Sequence, residues 1–271
     1  MSSEIDAVNP GRAGGAGLPA QPEAGRTPIV AIVVAAGLGR RFGGTKPKPL
    51  LRILGKTSAF LAVEGLAAGG VTDAVVVING ALGKAYKAAL RGLPIPVKLV
   101  AGGDSRQQSV TNGMRAISED PHLNRTEMVL IHDAVRPLQP AFVTEGVVSA
   151  LVQGAQAVAP AIPVVDTIRQ DVEGGNALVD RNTLHAIQTP QGLAWPLAWE
   201  CYRQLAEQGQ EFTDDVSCLE HFGHKVVLVP GSKVGMKITE PADLTIAKAL
   251  VKVRAGVGHH SGKRLRRFFR R

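Results

Sequence analysis

Cysteine and aromatic residues are scarce in this chain, and long apolar runs are missing. Cys201 and Cys218 are the only cysteines among 271 residues. They form no CxxC pair and lie near no plausible set of histidine ligands, so the sequence supports neither a disulfide framework nor a structural zinc site. Cys218 reads as a buried small hydrophobe rather than a nucleophile. No stretch approaches the eighteen or so apolar residues of a membrane span, and the N-terminus lacks the basic start and continuous apolar core of a secretory signal. A cytoplasmic protein with no membrane partner is expected. With 45% hydrophobic, 4% aromatic and 20% charged residues, the composition fits one soluble globular domain, or at most two, and excludes wholesale disorder.

Acidic charge is also in short supply, since 31 Lys+Arg face 23 Asp+Glu for a net +8. The excess is local. Residues 252–271 hold Lys252, Arg254, Lys263, Arg264, Arg266, Arg267, Arg270 and Arg271 and no acid, leaving the rest of the chain neutral. Such a run either binds nucleic acid or an acidic surface nonspecifically by counterion release or is a solvated terminus. At the other end, 14 of the 22 residues from Ala7 to Pro28 are Ala, Gly or Pro, without periodicity. Residues 1–27 therefore read as a disordered leader, residues 28–254 as the folded domain and residues 255–271 as a basic tail.

Within the domain, short β-branched runs alternate with helical patterns. Ile29–Val34, Ala74–Ile78, Val97–Val100, Met128–Ile131, Gln156–Ala159 and Val226–Val229 read as buried strands, too short and too β-branched for helices. Helices are expected over Ser58–Ala68, Ala81–Arg91, Arg106–Ser118, Pro140–Leu151 and Pro196–Gln208, with Thr239-Glu240-Pro241 opening a last one that ends near Val253. The alternation predicts an α/β, doubly wound, mostly parallel sheet, with ligands beyond the carboxyl ends of its strands. One segment breaks the rhythm. Residues 161–188 carry Pro163 and a Gly174-Gly175-Asn176 turn but no helical period, which predicts an extended β-arm or hairpin.

The first strand runs into Ala35-Ala36-Gly37, where small residues let backbone amides approach an anion, and Arg40, Arg41, Lys46 and Lys48 follow within a few residues. That combination suits a polyphosphate, although a Gly-rich loop alone is also what a flexible connection looks like. Neither a dinucleotide GxGxxG nor a Walker loop fits, because Phe42 and Leu50 occupy required glycine positions. Gly102-Gly103-Asp104-Ser105-Arg106 opens a helix with Ser109 close by, and reads equally as a site for phosphate or base and as a plain N-cap. His132-Asp133-Ala134-Val135-Arg136-Pro137 leaves the fourth strand. Asp133 there suits a Mg²⁺ escorting phosphates, or a turn salt bridge with Arg136, while His132 reads as a structural histidine. Asp180-Arg181-Asn182, Thr189-Pro190-Gln191, Phe212-Thr213-Asp214-Asp215 and Met236-Lys237-Ile238-Thr239 add hydroxyls and charges, each weak alone.

Taken in order, AAGLGRRF, KPK, GGDSRQQSV, HDAVRP, DTI, DRN, TPQ, FTDDVSCLE and MKITEPADL over residues 28–250 resemble the 2-C-methyl-D-erythritol 4-phosphate cytidylyltransferases of the non-mevalonate isoprenoid pathway. The resemblance implies a Rossmann-like nucleotidyltransferase fold and a reaction in which a phosphate oxygen of methylerythritol phosphate attacks the α-phosphorus of CTP, with Mg²⁺ accompanying the nucleotide. It implies Arg41, Lys48 and Lys237 as the catalytic cations. Ala35, Ala36, Gly37, Gly103, Asp104, Arg106, Ser109 and Ala134 would line the nucleotide site. Asp133, Arg136, Arg181, Thr189 and Thr213 would face the acceptor, with Asp133 either binding its hydroxyls or approaching the metal. In the family the arm interlocks two subunits, implying a homodimer with Arg181 contributed across the interface. Pro49 and Arg169 depart from residues common in relatives. The rivals are another nucleotidyltransferase of this fold and a noncatalytic protein that binds RNA or an acidic partner through the tail. Some relatives are fused to a second enzyme of the pathway, but about 20 residues beyond the last helix are too few for another fold, so a monofunctional chain is expected.

Overall fold

The computed structural model describes residues 27–37 and 47–253. Most of the leader, the segment 38–46 with Arg40, Arg41 and Lys46, and the basic tail lie outside the described residues.

The strand β1 (Val30–Ala35) explains why its sequence shows no polar alternation. Successive strand side chains point to opposite faces, and here both faces are dry. Val30 and Ile32 enter a core with α3 (Arg106–Ser118), α5 (Leu197–Gln208) and α6 (Val216–Glu220), while Ala31 and Val33 enter another with α1 (Ser58–Ala68), α2 (Gly83–Ala89) and α4 (Ala141–Val152). A fully buried Val or Ile contributes roughly 1.5–3 kcal/mol through burial, so neighbouring strands carry similar runs. These are β4 (Asp73–Ile78), β5 (Val97–Ala101) and β6 (Met128–Asp133).

Later in the chain come β7 (Ala157–Pro163), β10 (His185–Ile187), β11 (Gln191–Ala194) and β12 (Val226–Pro230). The strands stand side by side as β5-β4-β1-β6-β11-β7-β12, with β10 preceding β11 alongside β7. β1, β4, β5 and β6 are parallel, and β11 runs antiparallel to both its neighbours. The first and third expected strands thus flank β4, and the order reverses between β1 and β6. A reversal of this kind leaves a crevice beyond the carboxyl ends of the two strands.

Two expectations need correction. The strands at 97–101 and 226–230 form the edges of the sheet and are only half-buried, with Val227 and Leu228 among the exposed apolar residues. The helix expected over Ala81–Arg91 is split into a 3₁₀ turn, Gly80–Leu82, followed by α2.

The segment 161–188 is extended, as its composition predicts. β7 runs on from the sheet to pair with β10, and β8 (Ile168–Val172) pairs with β9 (Gly175–Val179) as a separate antiparallel hairpin. The small antiparallel pair β2 (Arg52–Ile53) and β3 (Lys56–Thr57) leads into α1, whose N-cap Thr57 accepts from the Phe60 amide. A final helix, α7, occupies residues 241–253. It is held by a third cluster around Ile53, Leu138, Ile238 and Ala247.

Candidate active site

A cleft of about 750 Å³ opens at the reversal between β1 and β6, bounded by Ala36 and Gly37, by Lys48, by Gly103–Arg106 with Ser109, and by Lys237. Gly102 brings two of these walls together. A Cβ at Gly102 would collide with the Ala36 side chain and lie 2.9 Å from Ser109 Oγ. The turn after β5 therefore closes onto the end of β1 only with glycine there.

Ser105 supplies the N-cap of α3, its hydroxyl accepting from the Gln108 amide at 3.1 Å. The amides of Gly103 and Asp104 donate to Ser109 Oγ (3.1 Å) and Gln108 Oε1 (2.7 Å). This turn is internally satisfied, and a ligand would exchange with these side-chain acceptors.

Asp133 is the electrostatic centre. Its Oδ1 lies 3.4 Å from Arg106 Nε, and its Oδ2 lies 2.8 Å from Lys237 Nζ and 3.7 Å from Arg136 Nε. Burial alone would raise the carboxyl pKa, but Arg106, Lys237 and Arg136 together hold it well below the usual range. Three cations meet this one buried carboxylate. Arg106 also makes a two-pronged pair with Asp215, at 2.9 and 2.6 Å. The two carboxylates leave one positive charge over, which suits an incoming anion. Lys48 Nζ donates to the Thr239 carbonyl at 3.2 Å, just before α7. Lys237 and Lys48 therefore reach the same cleft from segments 189 positions apart in sequence.

The structure places the other residues named by the sequence unevenly. Ala134 is fully buried, with its amide donating to the Val34 carbonyl and its carbonyl accepting from Ser58 Oγ. The Ala35 carbonyl accepts from the buried Tyr86 hydroxyl. Arg136 lies beneath the cleft and donates to the Gly235 carbonyl, bracing the loop that carries Lys237. Thr189 is buried, its hydroxyl accepting from the Asp133 amide at 3.1 Å and facing His132 Nδ1 at 2.9 Å. Arg181 is on the arm, beside a separate cavity lined by Thr167, Leu178 and Asp180, and donates to the Val165 carbonyl. Thr213 is exposed ahead of α6. Arg41 lies outside the described residues. Gln191 and Asp215 stand in the TPQ and FTDD motifs and Tyr202 in none, and no local pattern links Asp215 to an arginine 109 positions away, so their hold on Arg106 emerges only in the fold.

His132 is buried and its imidazole is pushed down from 6.5 to about 4, chiefly by burial. It is neutral in the folded chain, and its Nε2 sits 3.2 Å from the Arg136 carbonyl. Between those two pH values the unfolded chain binds more protons than the folded one. Stability from this residue is complete above pH 6.5 and is lost as pH falls toward 4. Denaturant unfolding should therefore show the stability advantage of the unsubstituted chain over His132→Gln shrinking across this window, by up to about 1.4 kcal/mol per pH unit. A constant gap would contradict the assignment.

Cys218 is buried with its thiol pushed up to about 12, mainly by burial, which makes it a poor nucleophile. Among the described residues no three His, Cys, Asp or Glu side chains gather as a metal cage. Asp133 does not suit direct ligation of Mg²⁺, because both of its oxygens already face cations. No described helix is long and apolar enough to cross a membrane.

Residues 29–253 match the family model for IspD, 2-C-methyl-D-erythritol 4-phosphate cytidylyltransferase. The chain is 40% identical over 230 residues to the enzyme of that name from Rhodococcus opacus (strain B4), covering 84% of this chain and 97% of the relative. Among solved structures, 4-diphosphocytidyl-2C-methyl-D-erythritol synthase from Anaerococcus prevotii DSM 20548 superposes with a TM-score of 0.72 at 26% identity, covering 83% of this chain and 96% of that one. The 2-C-methyl-D-erythritol 4-phosphate cytidylyltransferase from Thermus thermophilus gives 0.69 at 27% identity, covering 83% and 99%. Sequence and fold converge, and a cleft charged for an anion stands at the strand reversal: the chain belongs to the IspD family of 2-C-methyl-D-erythritol 4-phosphate cytidylyltransferases.

Proposed function

We propose that this cleft is where the chain transfers CMP from CTP to 2-C-methyl-D-erythritol 4-phosphate and releases pyrophosphate. The observation that carries this reading is the convergence of Lys48 and Lys237 on one cleft beside Ala36 and Gly37, in a chain of this family. A phosphate oxygen of the acceptor attacks the α-phosphorus and the bond to pyrophosphate breaks. The protein needs no nucleophile of its own, only alignment of two anions and fixed positive charge where negative charge grows.

In this reading Lys48 and Arg41 flank the transferring group and Lys237 supports the nucleotide phosphates. Ala36, Gly37, Gly103, Asp104, Arg106 and Ser109 form the cytidine wall, with Ala35 and Ala134 backing it from the core. Asp133 and Arg136 act as the charged floor. Thr189 supports that floor from below, and Arg181 and Thr213 hold the acceptor. Mg²⁺ enters with CTP as its counterion. The catalytic unit is residues 28–254, working in the cytoplasm, and the tail at 255–271 contributes at most nonspecific binding.

Incubating the protein with each of the four nucleoside triphosphates, Mg²⁺ and methylerythritol phosphate, and following pyrophosphate, tests the assignment. Turnover with CTP far above the rest is expected. Equal use of another triphosphate, or none of any, would contradict it.

The arm supports a homodimer in which it reaches the second subunit. Val165, Val172 and Leu178 are exposed on a ribbon that has no core of its own. If Arg181 serves the neighbouring site, Arg181→Ala should raise KM for methylerythritol phosphate well above its effect on CTP. Mixing it with Lys48→Ala subunits should then restore part of the activity. Equal KM effects, or no rescue in verified mixed dimers, would count against this arrangement.

A further inference from the structure

We infer that Asp215 and Tyr202 are positioning residues that fix Arg106 as a rigid wall against the uncharged part of the nucleotide; the inference rests on reading the cleft as the CTP site. Four separate elements converge to build this clamp. Arg106 opens α3, Asp215 precedes α6, Tyr202 projects from α5 and Gln191 opens β11. Asp215 is fully buried, and its carboxylate takes both terminal nitrogens of Arg106 while accepting the Tyr202 hydroxyl at 2.7 Å. Gln191 holds the carboxylate's own backbone, its Oε1 accepting from the amides of Asp215 (2.7 Å) and Val216 (3.0 Å). Its Nε2 donates to Asp214 at 3.1 Å. Every contact in this set opposes movement of Asp215, and Asp215 in turn opposes movement of Arg106.

The clamp limits what Arg106 can do. A free guanidinium forks a phosphate through its two terminal nitrogens, but here both are directed at Asp215 and Nε faces Asp133. Its charge is largely balanced by these carboxylates, so Arg106 is poorly suited to catching the triphosphate. Yet its side chain is about 29% exposed and borders the cleft beside Asp104 and Ser109. What it offers a ligand is a fixed planar edge and face, suited to base or ribose. Those parts of the nucleotide carry no charge that develops during transfer. Contacts to them act equally on bound substrate and transition state, and so appear in KM rather than kcat.

Asp215→Asn should therefore raise KM and Kd for CTP by about tenfold, with kcat within about twofold, because Arg106 then swings toward Asp133 or the triphosphate. Tyr202→Phe keeps the pair and the packing, guards against a folding failure at position 215, and should raise the same constants about two- to threefold. Both variants are then placed in an Arg106→Ala background. If they act through Arg106, neither has a further effect on CTP binding there. Undiminished effects in that background would overturn the proposal, as would a fall in kcat with KM unchanged, or lowered thermal stability with CTP affinity intact. Turnover of CTP by the unsubstituted chain tests the reading of the cleft; coupling between positions 106 and 215 tests the clamp.

Discussion

Lys48→Ala is expected to lower kcat by about 10²-fold or more, the scale of losing one preorganised group at a site of growing charge. The residue is well placed for such a role. It opens a 3₁₀ turn, Lys48–Leu50, between Pro47 and Pro49, and its ammonium reaches across to Thr239. Prolines on either side restrict the backbone, so the side chain enters the cleft from a stiff base. Thermal stability should stay close to that of the unsubstituted chain, because the lysine is only half-buried. Single-turnover measurement of pyrophosphate release isolates the chemical step. A rate within a few-fold of normal, in a variant that unfolds normally, would remove Lys48 from the mechanism.

Asp133→Ala is expected to act on stability and turnover together. Removing the carboxylate leaves Arg106, Arg136 and Lys237 without their shared counterion, in a place where Asp133 itself is only 9% exposed. Breaking a buried ion pair from one side costs about 3–5 kcal/mol, which for a domain of this size lowers Tm by roughly 10 °C. Lys237 then loses its anchor, and displacement of a positioning group by about 1 Å can cost some 10²-fold in rate. Thermal unfolding and kcat/KM for CTP should fall together. Full activity in a variant that is merely less stable would show that Lys237 holds its place without Asp133.

How much of this was legible beforehand depends on what decides each element. The run in β1 was readable because both of its faces are dry, and α1 and α3 match their expected bounds of Ser58–Ala68 and Arg106–Ser118 because Thr57 and Ser105 cap them locally. The edge strands were misread as buried because a short apolar run looks alike at the centre and the edge of a sheet; only the strand order separates them. β11 went unseen because Gln191-Gly192-Leu193-Ala194 has little strand propensity and is recruited by pairing with β6 and β7. At the site, the sequence named Lys48, Asp133 and Lys237 from their motifs. It could not say that Asp133 gathers three cations, or that Thr189 faces the core, since both depend on distant segments meeting.

In the proposed transfer an acceptor phosphate oxygen attacks the α-phosphorus of CTP without a covalent protein intermediate. Methylerythritol phosphate carrying heavy oxygen at its terminal phosphate positions tests it directly, with mass analysis of both products after turnover by the unsubstituted chain. All the label should remain in the diphosphate of the cytidylylated product, and pyrophosphate should emerge unlabelled. Heavy oxygen in the pyrophosphate, or CMP trapped on the protein when the acceptor is withheld, would contradict it.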